Sequence, residues 1–170
     1  MFRVDTIERT DGRRHQREIV GHPGAVAIVA LDDEDRVLLV RQFRTAVGRT
    51  LLEIPAGTLD VDPTAGNVED PDLAARRELE EETGQRAGRW QKLGSFWTAP
   101  GFATELMHLY LATDLRPADE GRLGPDEDEA LVDVRVPLVE AVAAAEDGRI
   151  ADAKSIVGLL RVDRLLRASR

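Results

Sequence analysis

Within the stretch 71–83, two glutamates follow Glu78 at spacings of three and four residues, Glu81 and Glu82. On an α-helix these spacings place the carboxylates on neighbouring points of one face. Oxygen ligands without His or Cys are typical of Mg²⁺ or Mn²⁺ sites rather than of Zn²⁺ sites. The pattern therefore predicts a helix that binds divalent cations, which could bridge phosphate oxygens and activate a water molecule.

A solvated acidic face is the ordinary interpretation of a glutamate-rich helix. Glu80, Glu81 and Glu82, however, occupy the predicted last turn, where the helix dipole disfavours anions. Arg76 and Arg77 precede Glu80 and Glu81 by four residues, which is the weaker order for a helical ion pair. A segment that departs from the preferences for helix stability in this way tends to be functional, so we favour metal binding.

The elements that must position this helix follow an irregular order. Asp70 as N-cap, Pro71 as first helical residue and Gly84 as stop predict a helix from Pro71 to Thr83. Other patterns predict strands at 17–20, 25–31, 36–41, 51–54, 90–97, 105–112 and 131–136, and helices at 137–148 and 152–166. Runs 25–31 and 36–41 are separated by four acidic residues and predict a β-hairpin. The order favours an α+β class with a mixed sheet, and a single domain over 1–170.

Composition excludes several function classes. The 170 residues carry a formal net charge of −9 without a basic run, which argues against nucleic acid as partner. There is no Cys, so disulfides, thiolate metal sites and Cys nucleophiles are excluded. The longest apolar run, 25–31, is far below the roughly 18 residues of a membrane span. The N-terminus has no apolar signal region, and we expect a cytoplasmic protein that does not enter a membrane.

The residues around the helix resemble a known family. Glu69, seven further residues and then Arg77-Glu78-Leu79-x-Glu81-Glu82-x-Gly84 resemble the second part of the Nudix box. Gly57, in Pro55-Ala56-Gly57, resembles the glycine that opens the box. Eleven residues separate Gly57 from Glu69 where the family has five, which indicates an insertion in the loop 58–68, where extra length costs little. The box ends in Gln85, where an apolar residue is usual.

Further segments resemble the ADP-ribose pyrophosphatase branch of this family. They are Val40-Arg41-Gln42-Phe43-Arg44, Leu52-Glu53-Ile54-Pro55-Ala56-Gly57 and Pro100-Gly101-Phe102, with Pro100 about 15 residues beyond the box, as in the branch. The stretch 125–129 is similar to the acidic catalytic loop of the branch, although alone it would be interpreted as a solvated turn. The resemblance implies an α/β/α sandwich with a mixed sheet. It also implies hydrolysis of ADP-ribose to AMP and ribose 5-phosphate.

The resemblance also implies a role for individual residues. Glu78, Glu82 and the main-chain carbonyl of Ala56 would bind metal, with Glu81 completing the site. Two or more Mg²⁺ or Mn²⁺ ions are expected with substrate bound. Either Glu127 or Glu129, in the acidic loop, would accept the proton of the attacking water.

Other matched residues are expected to support the site or the substrate. Arg77 would orient the glutamates, and Glu69 would hold the loop or a metal-bound water, with Gly57 and Gly84 in structural roles. Arg44 would contact the pyrophosphate, because a guanidinium matches phosphate oxygens bidentately; the alternative is a surface Arg at a strand end. Glu53 and Gly101 would line the sugar side.

Alternative functions remain open at this point. The same machinery would hydrolyse another nucleotide sugar such as ADP-glucose or GDP-mannose, and a non-catalytic nucleotide-binding protein or a structural interaction protein is less favoured. Members of the branch are homodimers in which N-terminal strands, here about 1–22, help to build the partner's site. The segment before Arg17 is short for the branch, and an opening strand is expected to be missing. Glu18 could reach the adenine or ribose from the second subunit.

Overall fold

The computed structural model describes residues 1–118 and 132–168. This part of the chain contains nine strands, β1 Phe2–Glu8, β2 Arg14–Val20, β3 Ala25–Ala30, β4 Arg36–Arg44, β5 Arg49–Glu53, β6 Ala56–Thr58, β7 Gln85–Trp97, β8 Leu106–Pro117 and β9 Val132–Pro137. It also contains three α-helices, α1 Pro71–Thr83, α2 Leu138–Glu146 and α3 Ala153–Ala168. No helix within these ranges is long and apolar enough to cross a membrane.

Strand β3 is the centre of the fold, and all its side chains are buried. Successive residues of a strand point to opposite faces. Val26, Ile28 and Ala30 accordingly share one apolar cluster with α1, whereas Ala27 and Val29 share another with α2 and α3. Because helices cover both faces, the architecture is an α/β/α sandwich, and the predicted fold class is confirmed.

The strands form two larger sheets between these helices. One has the order β6-β3-β8-β7, in which β3 and β8 are parallel and the other pairs antiparallel. The other is antiparallel, with the order β5-β4-β9. The mixed sheet was predicted. The predicted hairpin between β3 and β4 was wrong. β3 pairs with β8 over its whole length and with β6 over Ala25–Ala27, and β4 lies in the other sheet, with a single Leu31–Val37 bridge just after β3.

A separate hairpin opens the chain. β1 pairs antiparallel with β2 over seven residue pairs, from Phe2–Val20 to Glu8–Arg14. The expectation that an opening strand is missing was therefore wrong. The sequence did not reveal β1 because six of its seven side chains are exposed, so it lacks the alternating burial pattern on which strand prediction depends. Val20 donates to the carbonyl of Phe102 at 2.7 Å, which attaches the hairpin to the turn between β7 and β8.

Helix α1 has the predicted bounds and the predicted caps. The Asp70 carboxylate accepts the backbone N–H of Asp72 at 2.7 Å, and Pro71 occupies the first turn. Gly84 ends the helix in the left-handed region with φ of 63° and donates to the carbonyl of Glu80. These local signals fix the phase of α1, and therefore determine which glutamates face the sheets.

Candidate active site

The carboxylates of Glu78 and Glu82, both on α1, face the start of β6. Leu79 and Ala75 pack on the central sheet, so the neighbouring glutamates are turned towards the chain between β5 and β6. Glu82 accepts the backbone N–H of Ala56 at 3.0 Å. A Cβ added to Gly57 would lie 2.0 Å from the carboxyl carbon of Glu78. Glycine at this position therefore allows a buried carboxylate to lie directly against the backbone.

Arg77 connects the glutamate helix to the loop before it. Its guanidinium donates to Glu69 from Nε at 3.2 Å and from Nη2 at 2.8 Å. Its Nη1 donates at 2.8 Å to both Glu78 and Glu81. The hydrogen bonds to Glu69 are the main reason why the pKa of Arg77 is raised, and the same bonds lower the pKa of Glu69. One cation thus holds three carboxylates and the end of the loop in place.

Glu80 has a different counter-charge from its neighbours. Arg86, at the start of β7, donates to its two carboxylate oxygens at 2.7 and 2.8 Å. The sequence pattern places Glu80 among the anions that need a bound cation, but β7 supplies a positive charge. Glu80 thus faces β7, whereas Glu78 and Glu82 face the backbone of Ala56 and Gly57, so these two are the better candidates for metal binding in α1.

The donor chemistry of this region fits a divalent cation. Glu78 and Glu82 are buried and offer hard carboxylate oxygens, and the backbone of Ala56 and Gly57 lies against them. Among residues 1–118 and 132–168, no three acidic or His side chains form a ready-made metal cluster. Glu78 and Glu82 thus supply two buried carboxylates to this region. Phosphate oxygens and water normally complete a Mg²⁺ site of this kind.

A second charged group lies near Ala56 and is formed by Glu53, Arg44 and Lys154. Glu53, at the end of β5, is 1% exposed and accepts from Arg44 Nε at 2.9 Å and Nη2 at 2.7 Å. Lys154 of α3 also donates to it and forms an ion pair with Asp152 at 3.1 Å. Burial acts to raise the pKa of Glu53, but hydrogen bonds from Arg44 and the charge of Lys154 outweigh it and lower this pKa. Glu53 is therefore an ionised, fully paired carboxylate in the interior.

A cavity of about 540 Å³ is lined by the Arg44–Glu53 group and reaches the backbone of Ala56 and Gly57, against which Glu82 and Glu78 pack. Its wall contains four residues with predicted roles, Arg44, Glu53, Ala56 and Gly57. Further along, the wall contains Thr98, Glu105 and Met107 from the β7–β8 region, together with Lys154 of α3 and Asp152, which directly precedes α3. A second cavity of about 520 Å³, beside Pro137 and Leu166, contains no predicted site residue. The first cavity is therefore the candidate active site.

Sequence reasoning missed Lys154 and Glu105. Lys154 lies one helical turn before Gly158 and two before Val162, both of which are buried, so it occupies the apolar face of α3. A lysine on an apolar stripe in the first turn of a helix is the signal that could have identified it. Glu105 accepts from Thr98 at 2.5 Å and lies 3.6 Å from His22, contacts that no local pattern reveals.

The predicted residues on or beside α1 are not part of the cavity wall; they are Glu69, Arg77, Glu78, Glu81, Glu82 and Gly84. Of the other predicted residues outside the wall, two lie elsewhere in the structure and two fall outside the described residues. Gly101 lies in the turn between β7 and β8, with open space around it. Glu18 lies on β2 opposite Val4 and is exposed. Glu127 and Glu129 fall outside the described residues. Their predicted roles stay predictions.

Comparison with known proteins identifies the class of this site. The chain belongs to the NUDIX domain family, whose model matches residues 21–157. It is thus an enzyme of the Nudix pyrophosphohydrolase class, and the resemblance seen in the sequence is confirmed. A crystal structure of an ADP compounds hydrolase superposes with a TM-score of 0.81 at 29% identity, covering 99% of this chain and 88% of that chain.

Particular relatives narrow the comparison. The ADP-ribose pyrophosphatase of Bacillus subtilis is 40% identical over 98% of this chain and 88% of its own length. The ADP-ribose pyrophosphatase of Mycobacterium tuberculosis is 44% identical, over 95% and 75% respectively. A GDP-mannose pyrophosphatase of Cronobacter sakazakii is 35% identical, over 89% and 80%.

Proposed function

We propose that this enzyme hydrolyses the pyrophosphate bond of ADP-ribose and releases AMP and ribose 5-phosphate. One observation carries the proposal: a single cavity connects the backbone against Glu78 and Glu82 with the Arg44 guanidinium. A pyrophosphate needs positive charge on both sides, and it would find Arg44 at one end and the glutamate-bound cations at the other. The relatives named ADP-ribose pyrophosphatase support this substrate.

Each described residue has a distinct task in this proposal. Glu78 and Glu82 would hold Mg²⁺ or Mn²⁺, which when bound lowers the pKa of water and screens phosphate charge. Arg77 holds Glu78 and Glu81 in place and ties them to Glu69, so the acidic cluster keeps its geometry. Arg44 would bind phosphate oxygens.

Sugar recognition and proton transfer complete the proposal. Glu53 and Gly101 would serve the sugar side. Glu127 or Glu129 would accept the proton of the attacking water, with Glu81 as the other acidic candidate. Near-normal turnover in both Glu127→Gln and Glu129→Gln would contradict the loop assignment.

The test is a hydrolysis panel with Mg²⁺ and the purified protein. ADP-ribose, ADP-glucose, GDP-mannose and NADH are supplied separately, and release of AMP or GMP is measured by chromatography. We expect the highest kcat/KM with ADP-ribose, and no turnover after chelation with EDTA. Glu78→Gln and Glu82→Gln should each lower kcat/KM by roughly 100-fold, because each removes one charged metal ligand.

The matched control is Glu146→Gln, an exposed glutamate of α2, which should turn over as wild type. Normal Mg²⁺-dependent turnover by Glu82→Gln would contradict the metal assignment. A preference for GDP-mannose would favour the alternative that the relative from Cronobacter sakazakii supports. Binding of ADP-ribose in calorimetry without turnover of any compound would instead indicate a nucleotide-binding protein.

We also propose that the enzyme is a homodimer built through the N-terminal hairpin, β1 and β2, with Glu18 reaching the partner's nucleotide. The hairpin is exposed and lies against the turn that contains Phe102. A cytoplasmic location is proposed as well, and cell fractionation followed by the hydrolysis assay would test it.

A further inference from the structure

Lys154 is a buried cation in the wall of the candidate active site. Its side chain is 9% exposed, and a lysine is almost never this buried unless it is paired. Its Nζ contacts the carboxylates of Glu53 and Asp152. The backbone position is fixed by the next residue, since Ser155 donates to Asp152 and accepts from the backbone N–H of Ile54.

Glu53 transmits the position of Lys154 to Arg44. One oxygen of Glu53 accepts from both Lys154 Nζ and Arg44 Nη2, while the other accepts from Arg44 Nε. A bidentate pair of this kind sets the plane of the guanidinium. The Nη1 atom takes no part in this pair, and Arg44 lines the cavity.

The charges of this group balance only when Lys154 is present. Arg44 and Lys154 carry two positive charges, and Glu53 and Asp152 carry two negative charges. Without Lys154 the group carries one net negative charge. This charge would lie at the end of the cavity where the proposed function requires phosphate to bind. Electrostatic interactions are stronger in such a partly buried site than in water, so the change would be felt by an anionic ligand.

We propose that Lys154 is a positioning residue of the pyrophosphate site: it compensates Glu53, so that the Arg44 guanidinium keeps its orientation and its positive charge for the substrate. This inference rests on the proposed function, because it assigns Arg44 to the pyrophosphate. It differs from direct contact, in which the ammonium group itself would touch a phosphate. It also differs from a purely structural role, in which only the stability of the fold would depend on Lys154.

The experiment compares three variants under Mg²⁺ on the best substrate of the hydrolysis panel. Lys154→Met keeps the apolar stem and removes the charge; we expect KM to rise about tenfold and kcat to change less than about threefold. Lys92→Met makes the same substitution at the other lysine of the chain, which lies outside the cavity. That control should leave KM and kcat unchanged.

The third variant, Asp152→Asn/Lys154→Met, removes one negative and one positive charge together and keeps the Arg44–Glu53 pair. We expect it to recover KM to within about threefold of wild type, because the charges of Arg44 and Glu53 balance again and the side-chain oxygen of the introduced asparagine can still accept the backbone N–H of Ser155. Thermal melting is recorded for each protein, and assays are run well below the lowest melting temperature. If Lys154→Met alone does not fold, the double variant carries the test: wild-type-like KM supports compensation, and a KM raised tenfold contradicts it.

The remaining outcomes separate this inference from the proposed function. An unchanged KM in Lys154→Met would overturn the role of Lys154, and so would a rise in KM that the double variant keeps in full. In both cases turnover by the wild-type protein would leave the proposed function intact. A lower melting temperature with normal KM would show a structural role only, and would also overturn it. A wild-type protein that turns over no compound of the panel would remove the proposed function and this inference with it.

Discussion

Gly57 is the residue at which the backbone approaches the acidic site most closely. An alanine there would place its Cβ 2.0 Å from the carboxyl carbon of Glu78, closer than atoms can approach. The carboxylate is the far end of a flexible side chain, so it can move away without unfolding the protein. We expect Gly57→Ala to melt within a few degrees of wild type but to lose roughly 10- to 100-fold in kcat/KM, with a raised requirement for Mg²⁺.

The control for this substitution is Gly21→Ala. A Cβ at Gly21 would come no closer than 3.4 Å to the nearest atom, the carbonyl oxygen of Met1. Melting curves and Mg²⁺ titrations of activity are compared for both variants. Wild-type activity in Gly57→Ala would show that the position of Glu78 does not matter for turnover.

The two halves of the site differ in how far the sequence predicts them. Glu78 and Glu82 lie on one helix, and their spacing alone places them on one face, so a local pattern is enough to identify them. Lys154 meets Glu53 across 101 residues of sequence, and that contact depends on how α3 packs against the sheets. A long-range ion pair has no local pattern, and therefore only the folded arrangement of α3 and β5 reveals that Lys154 belongs to the site.

At the scale of elements, Asp32 fixes the turn between β3 and β4. One carboxylate oxygen accepts the backbone N–H groups of Glu34 and Arg36 at 3.0 and 2.9 Å. The other accepts from the Arg36 side chain at 2.9 Å and from Arg135 of β9 at 3.2 Å. Burial acts to raise the pKa of Asp32, but the bonds from Arg36 and Glu34 outweigh it, and the pKa lies below its ordinary value of 3.8.

This lowered pKa predicts how stability depends on pH. Because the folded pKa lies below the unfolded one, the ionised Asp32 stabilises the fold above the unfolded pKa, and this contribution is lost as pH falls through the folded pKa. We expect Asp32→Asn to reduce the free energy of unfolding by about 1–2 kcal/mol at pH 7. The difference from wild type should shrink as the pH is lowered below the ordinary carboxylate range.

Urea unfolding at a series of pH values from 7 downwards measures this difference directly. The matched control is Asp33→Asn, at the exposed neighbouring position, which should stay within about 0.5 kcal/mol of wild type at every pH. A difference for Asp32→Asn that remains constant from pH 7 to well below the ordinary carboxylate range would contradict an ionised, stabilising Asp32.

The same turn shows why elements were easier to predict than their pairing. Strands β3 and β4 were found from their apolar runs, but nearness in sequence suggested a hairpin that the fold does not contain. Every residue of β3 is buried, which is typical of a central strand with neighbours on both sides. Its partners β6 and β8 come later in the chain, and no local signal indicates them.

At the scale of the whole molecule, the N-terminal hairpin differs in charge from the rest of the chain. The net charge of the chain is −9, so two copies repel each other. Residues 1–20 contain five Arg and four Asp or Glu, so this repulsion is weak between two copies of the hairpin. Phe2 and Val4 are 65% and 48% exposed and lie on one face of β1, since alternate residues of a strand share a face.

These features lead to a prediction about assembly. If the hairpin forms the dimer, light scattering should give twice the chain mass of 18.7 kDa for wild type and a single chain mass for Phe2→Asp/Val4→Asp. Val139→Asp, at a more exposed apolar residue of α2, should remain a dimer. Because Glu18 would serve the partner's nucleotide, the monomeric variant should also show a higher KM for ADP-ribose, with its melting transition still cooperative. A wild-type protein that scatters as a monomer at assay concentrations and still turns over ADP-ribose would contradict both the dimer and the role of Glu18, since every group needed for turnover would then come from one chain.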